Sequence, residues 1–155
     1  PVEKVAAVIN LDVFPLWGEN TDVTLTGYGN STLDSTLAVL AKPYGRYIMP
    51  DPDAYNGMFY RSDHFPFVQR GVPAMFAKGW NDNRKHGKEW SKEQIAKYWA
   101  ETYHKPTDQT HPETDDYSGL LQEVHLFFDL GYTLSQAEDF PRWNEKSEFA
   151  RLLNR

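Results

Sequence analysis

Hydrophobic and polar positions along the chain fall into blocks that each suit one kind of element. Residues 5–14, V-A-A-V-I-N-L-D-V-F, are apolar almost throughout and do not alternate. That pattern predicts a strand covered on both faces in the middle of an α/β sheet. Residues 22–28 alternate as D-V-T-L-T-G-Y and predict a second strand, nearer an edge. Ser31 to Asp34 matches a capping box, and Leu33, Leu37, Leu40 and Ala41 form a helical stripe ended by Pro43 and Gly45. Tyr47, Ile48 and Met49 make a short strand before the turn-rich Pro50 to Asp53.

In residues 60–74 a polar loop (Arg61, Ser62, Asp63, His64) enters a short helix and hands over at Gly71 to an apolar strand through residues 72–77. Residues 81–89 are polar and read as a loop in which His86 is solvated. Ser91 and Gln94 form another capping box, ahead of Ile95, Tyr98, Trp99 and Thr102 at helical spacing. An amphipathic helix over 117–130 carries Leu120, Leu121, Val124, Phe127 and Phe128, with His125 packed beside the stripe. A last helix follows Pro141, with Trp143, Phe149, Leu152 and Leu153 as its apolar contacts. Neither repeats nor a linker interrupt this order, so residues 1–155 are expected to form one unit.

Composition narrows the function. A chain of 155 residues with 40% hydrophobic content is large enough for a core, and no apolar run approaches membrane-spanning length. A net charge of −6 argues against nucleic acid as a partner, because phosphate binding needs a basic face. With no cysteine there are neither disulfides nor thiolate metal ligands. The sequence opens on Pro1 without a targeting segment, which leaves processing or a boundary upstream as the expectation.

Three segments carry the chemistry. Asn10-Leu11-Asp12 places a carboxylate at the carboxyl end of the first strand, where open α/β sheets bind ligands. A strand-end aspartate capping the following turn is the plainer alternative. Ser62-Asp63-His64 precedes Gly71-Val72-Pro73-Ala74, where Asp63 would otherwise serve as the cap of a surface helix with His64 exposed. Tyr103-His104-Lys105-Pro106-Thr107-Asp108 follows the third helix. A separate grouping of His104, Asp108, His111, Asp115 and Asp116 lies in one loop, matches no zinc spacing, and reads as solvated acids. No serine sits in a nucleophile elbow.

In that order and spacing the segments resemble the co-catalytic zinc aminopeptidases, the family that includes bacterial leucyl aminopeptidases, glutamate carboxypeptidase and glutaminyl cyclase. The resemblance implies a three-layer α/β sandwich with a central mixed sheet and helices on both faces, here as its C-terminal part. It further implies a zinc-dependent exopeptidase that hydrolyses N-terminal peptide bonds, with two zincs per complete domain. Asp12 and His104 would each be a metal ligand, while Tyr60, Asp63 and His64 would line the same cleft, with Tyr60 or His64 as oxyanion donor.

Lys105, where the family pattern has Ser or Thr, and a longer stretch around residues 81–97 depart from that pattern. Two ligands cannot complete two zinc sites. The chain alone is therefore expected to be inactive and to need an N-terminal half of the domain as partner, besides its peptide substrate. Self-association through an uncovered strand and a secreted or periplasmic location are further expectations. A non-catalytic binding module of the transferrin-receptor kind and a glutaminyl cyclase are the alternatives.

Overall fold

The computed structural model describes residues 1–152, so Leu153 of the expected last helix lies outside the described residues. Four strands form one mixed sheet in the order β1-β4-β2-β3: β1 (Val8–Asn10), β2 (Asp22–Thr26), β3 (Tyr47–Pro50) and β4 (Ala74–Lys78). β1 runs parallel to β4 with Val8 opposite Ala74, and β3 runs parallel to β2. β2 and β4 are antiparallel, with Thr24 opposite Lys78. The carboxyl ends of β1 and β4 therefore emerge together, beside the start of β2.

α1 (Leu33–Ala41) and α4 (Ser118–Gln136) cover one face, where Leu33, Leu37, Leu126 and Leu130 pack on Val23, Leu25, Met75 and Ala77. The other face is covered by α2 (Phe65–Val68) and by 3-10 turns at Met58–Tyr60 and Glu148–Arg151. There Phe59, Val68 and Phe149 pack against Ala74. α3 (Gly87–Glu101) follows β4. The α/β class and the mixed sheet agree with the sequence reading.

Several local expectations change. The apolar run at 5–14 yields a strand of three half-buried residues at the sheet edge, not a doubly covered interior strand. It ends early because Leu11 and Asp12 are exposed and Val13 adopts φ 58°, a conformation that a β-branched residue rarely takes. β2, expected near an edge, is interior and buried throughout. Its threonines tolerate burial because Thr24 Oγ1 donates to Asp22 (2.7 Å) and Thr26 Oγ1 to Asp51 (3.2 Å).

Ser91 is not a helix cap, since α3 already begins at Gly87. Its hydroxyl instead accepts from the Asn83 amide (2.8 Å) and donates to the Gly87 carbonyl (3.1 Å). Among the described residues the segment after Pro141 forms the short 3-10 turn at Glu148–Arg151, capped by Ser147.

α4 is rotated relative to its sequence pattern. It buries Gly119, Gln122, Glu123, Leu126, Phe127 and Leu130, leaving Leu121, Val124, His125 and Phe128 exposed. Glu123 sets that rotation. Its carboxylate receives both Arg46 terminal nitrogens (2.6 and 3.0 Å) and the Gly79 amide (2.7 Å), with both side chains out of solvent. A buried ion pair with satisfied hydrogen bonds cannot be turned outward without stranding its partner.

Candidate functional site

A cavity of about 520 Å³ opens at the carboxyl ends of β1 and β4. The loop after β1 brings Asp12, Phe14 and Trp17 to one side, and α3 with the turn that follows it brings Tyr98, Tyr103 and His104 to the other. Asp12 and His104, far apart in sequence, thus share one cavity, and both are exposed within it. His104 sits at φ 56° and lies flat on the Tyr103 ring, with centroids 3.8 Å apart. Tyr103 meets Trp99 edge-on at 4.5 Å, and Trp99 meets Trp80 at 5.8 Å. An aromatic ladder therefore runs from the exit of β4 to the imidazole of His104.

The stretch that departs from the family pattern, around 81–97, forms most of α3, the helix that carries this wall. Lys105 is the other departure. Its ammonium donates to the Ala100 carbonyl at the end of α3 and does not line the cavity.

Lys78, the last residue of β4, stands at the foot of the ladder. It is 5% exposed, with Nζ 4.0 Å from the Trp80 ring and 4.7 Å from the Phe76 ring. Burial pushes its ammonium down to about 8, opposed by the charges of Asp12 and Asp51. Burial, with Asp108, Tyr103 and Asp12 nearby, pushes the Tyr98 hydroxyl up to about 12, so it remains a proton donor at neutral pH.

A buried polar network holds the exit of β4 in place. The Asp22 carboxylate accepts the amides of Asn81 (3.0 Å) and Asp82 (2.8 Å), and Arg46 donates to the Asp22 carbonyl (2.6 Å). A side chain on Gly79 would stand 2.3 Å from Arg46 and 2.7 Å from the Asp22 carbonyl, so only glycine fits there. No local motif marks Asp22, Arg46 and Glu123 as a set. The one signal was an acid at 123 inside an apolar helical pattern.

Tyr60, Asp63 and His64 lie elsewhere, and none of the three lines the cavity of Asp12 and His104. Tyr60 is half exposed and its hydroxyl donates to Glu148 (2.6 Å). Asp63 is exposed and makes no cap on α2. His64, which the surface-helix alternative had exposed, is fully buried between Phe59 (4.6 Å) and Phe76 (5.9 Å), and neither ring nitrogen has a well-formed hydrogen bond among the described residues. Burial pushes its imidazole down to about 4, opposed by the Phe59 backbone and the Asp63 charge.

Among the described residues no group of three His, Asp or Glu side chains is close enough together to hold a metal ion. Asp12 and His104 supply suitable donors but not a complete set, since zinc takes about three protein ligands even in an open catalytic site. His104, Asp108, His111 and Asp115 also line the cavity without forming such a group, and Asp116 lies outside it.

An α/β sheet with a ligand-sized cavity at its carboxyl end, lined by an acid and an imidazole, has its candidate site where open α/β sheets bind ligands. The family model for peptidase family M28 matches residues 1–126, and the chain belongs to that metallopeptidase family. No curated protein and no solved structure matches the chain.

Proposed function

We infer that this chain is the C-terminal part of the catalytic domain of a zinc-dependent aminopeptidase, and that it contributes one donor to each metal through Asp12 and His104. The observation that carries the reading is the meeting of these two side chains in one cavity within a chain of the M28 family. The other ligands and the general base would come from residues outside this chain, an N-terminal half that completes the domain. The cavity volume lies in the range of small-ligand sites, and its aromatic walls suit the side chain of a terminal residue. Tyr98 lines the cavity and would serve as a donor to a peptide carbonyl, and the ladder from Trp80 to Tyr103 supports the His104 ring. The chain alone should hold zinc weakly and turn over no peptide.

A binding module of the same fold is the second reading, favoured by the incomplete donor set. One experiment separates the two. Hydrolysis of an amino-acid anilide is followed with added zinc, for this chain and for a longer encoded form that supplies the remaining ligands, with zinc content measured on both. Turnover by the longer form alone supports the peptidase reading. A longer form that binds peptide yet neither takes up zinc nor hydrolyses the anilide supports the binding module. Comparable turnover by this chain would mean that a complete site exists within it, against both readings.

A further inference from the structure

The aromatic ladder that ends on His104 borders two cavities. Trp80 and Tyr103 line the larger one, of about 520 Å³. Trp80 and Trp99 line a second of about 50 Å³, together with Lys78, Thr24 and Asp51. Trp80, Trp99 and Tyr103 are each half-buried, and His104 is exposed. A ring that borders a void is not fixed by close packing, because the void supplies no contacts to resist its turning. The Trp80 amide donates to Asp22, but that bond is long (3.4 Å) and leaves the indole free to turn about its side-chain torsions. The angle of the first ring is therefore set by its side-chain neighbours.

Lys78 is the neighbour with the means to do so. Its Nζ lies 4.0 Å from the centre of the Trp80 ring and 4.7 Å from that of Phe76, while the residue is only 5% exposed. Among the described residues its ammonium makes no hydrogen bond or ion pair. Without an acceptor in reach, its attraction falls on the two rings, and the exclusion of water strengthens it there. Phe76 is buried in the sheet and cannot move, whereas Trp80 can. The ammonium thus ties a movable indole to a fixed ring. From Trp80 the contacts continue to Trp99 (5.8 Å), Tyr103 (4.5 Å) and the His104 imidazole (3.8 Å). Tyr98 joins the same chain, 5.4 Å from Trp99 and 5.9 Å from Tyr103.

We propose that Lys78 is a positioning residue for the candidate site: its ammonium clamps the Trp80 ring to Phe76, and through Trp99 and Tyr103 that clamp sets the orientation of the His104 imidazole. Tyr98 is oriented with it. The clamp acts through charge and needs no contact between Lys78 and a substrate. The orientation of His104 is a property of this chain, and only its bearing on turnover rests on the peptidase reading.

Nuclear magnetic resonance on this chain tests it, with thermal unfolding as the check on the fold. The His104 ring protons lie over Tyr103 and should resonate upfield of ordinary histidine positions. Lys78→Met keeps the length and loses the charge, so most of that upfield shift should disappear. The wild type taken from pH 7 to pH 9 is a second arm, which removes the charge without changing bulk and needs no variant to fold. Burial pushes the Lys78 ammonium down to about 8, opposed by Asp12 and Asp51 from the loops after β1 and β3. Asp53 lines the same small cavity, to which β2 and α3 turn only Thr24, Thr26, Ile95 and Trp99, none of which titrates. The His104 shift should therefore fade with a midpoint near pH 8. A shift unchanged in folded Lys78→Met, or flat across that pH range, overturns the clamp. In a longer form that hydrolyses an anilide, Lys78→Met should lower kcat more than about tenfold and leave KM nearly unchanged. Unchanged turnover there overturns the role in the site. A longer form that hydrolyses nothing removes the peptidase reading instead, and the resonance measurements still decide the clamp.

Discussion

The carboxyl-end cavity holds one of the two histidines named in the sequence, and the buried surroundings of Phe59 and Phe76 hold the other. Both regions touch β4: Lys78 Nζ lies 4.7 Å from the Phe76 ring, and the His64 ring lies 5.9 Å from it. Both regions carry a histidine from a motif of the same family, yet the fold treats them oppositely. His104 is exposed on an aromatic ladder and shares its cavity with Asp12. His64 is fully buried between Phe59 and Phe76, where burial favours its neutral imidazole. The contrast teaches that motif membership identifies a segment, while burial decides whether its side chain can meet a ligand in this chain.

The largest effect should come on the cavity side. In a zinc-bearing form that hydrolyses an anilide, Asp12→Asn and His104→Ala should each lower turnover more than about 100-fold, while unfolding of this chain barely moves because both side chains are exposed. Unchanged turnover in either variant would remove that residue from the site.

Glu123→Ala should follow, destabilising the chain by about 3–5 kcal/mol, because it leaves the Arg46 charge buried without its partner. Denaturant unfolding measures it, and a loss below about 1 kcal/mol would mean that water replaces the carboxylate. The cavity should suffer with it, since Gly79 and the β4 exit hang from the same acid.

Around the buried His64 the effect should appear as pH dependence. The unfolded chain protonates His64 near 6.5, whereas the folded imidazole resists until about 4. Its stability contribution is therefore present above pH 6.5 and lost as pH falls through 4, by about 3 kcal/mol over that window. His64→Leu should flatten the stability profile there and cost little at pH 7. Asp34 works in the opposite sense. Burial raises its carboxyl to about 6 against the Gly29 amide, so its contribution is present below 3.8 and fades as pH rises through 6. Asp34→Asn should therefore steepen the acid loss that His64→Leu removes. A profile that neither variant changes would show both groups to be more hydrated than their surroundings suggest.

Tyr60→Phe should give the smallest change, under about 1 kcal/mol, because the bond to Glu148 lies at the surface. If the same change in a longer, active form lowers turnover and leaves KM alone, Tyr60 reaches the substrate there and the two regions are one site.

The sequence by itself determined the class of this protein and most of its elements. Near-continuous apolar runs require a covered sheet, helical spacing requires packed helices, and the ordered segments around Asp12, His64 and His104 resemble one peptidase family. Those signals are local, or depend on order along the chain, so one dimension is enough to carry them. Three outcomes needed the tertiary structure. β1 lies at the edge because a strand's place is set by its hydrogen-bonded neighbours, and its own hydrophobicity does not choose them. α4 turns Leu121, Val124 and Phe128 outward because Glu123 has to reach Arg46 and Gly79, residues distant in sequence. Lys78 is buried because its strand ends beside two aromatic rings supplied by Phe76 and Trp80, and Trp80 lines the cavity. In each case a long-range polar or aromatic contact outweighed a local pattern, since the cost of an unpaired buried group exceeds that of an exposed leucine.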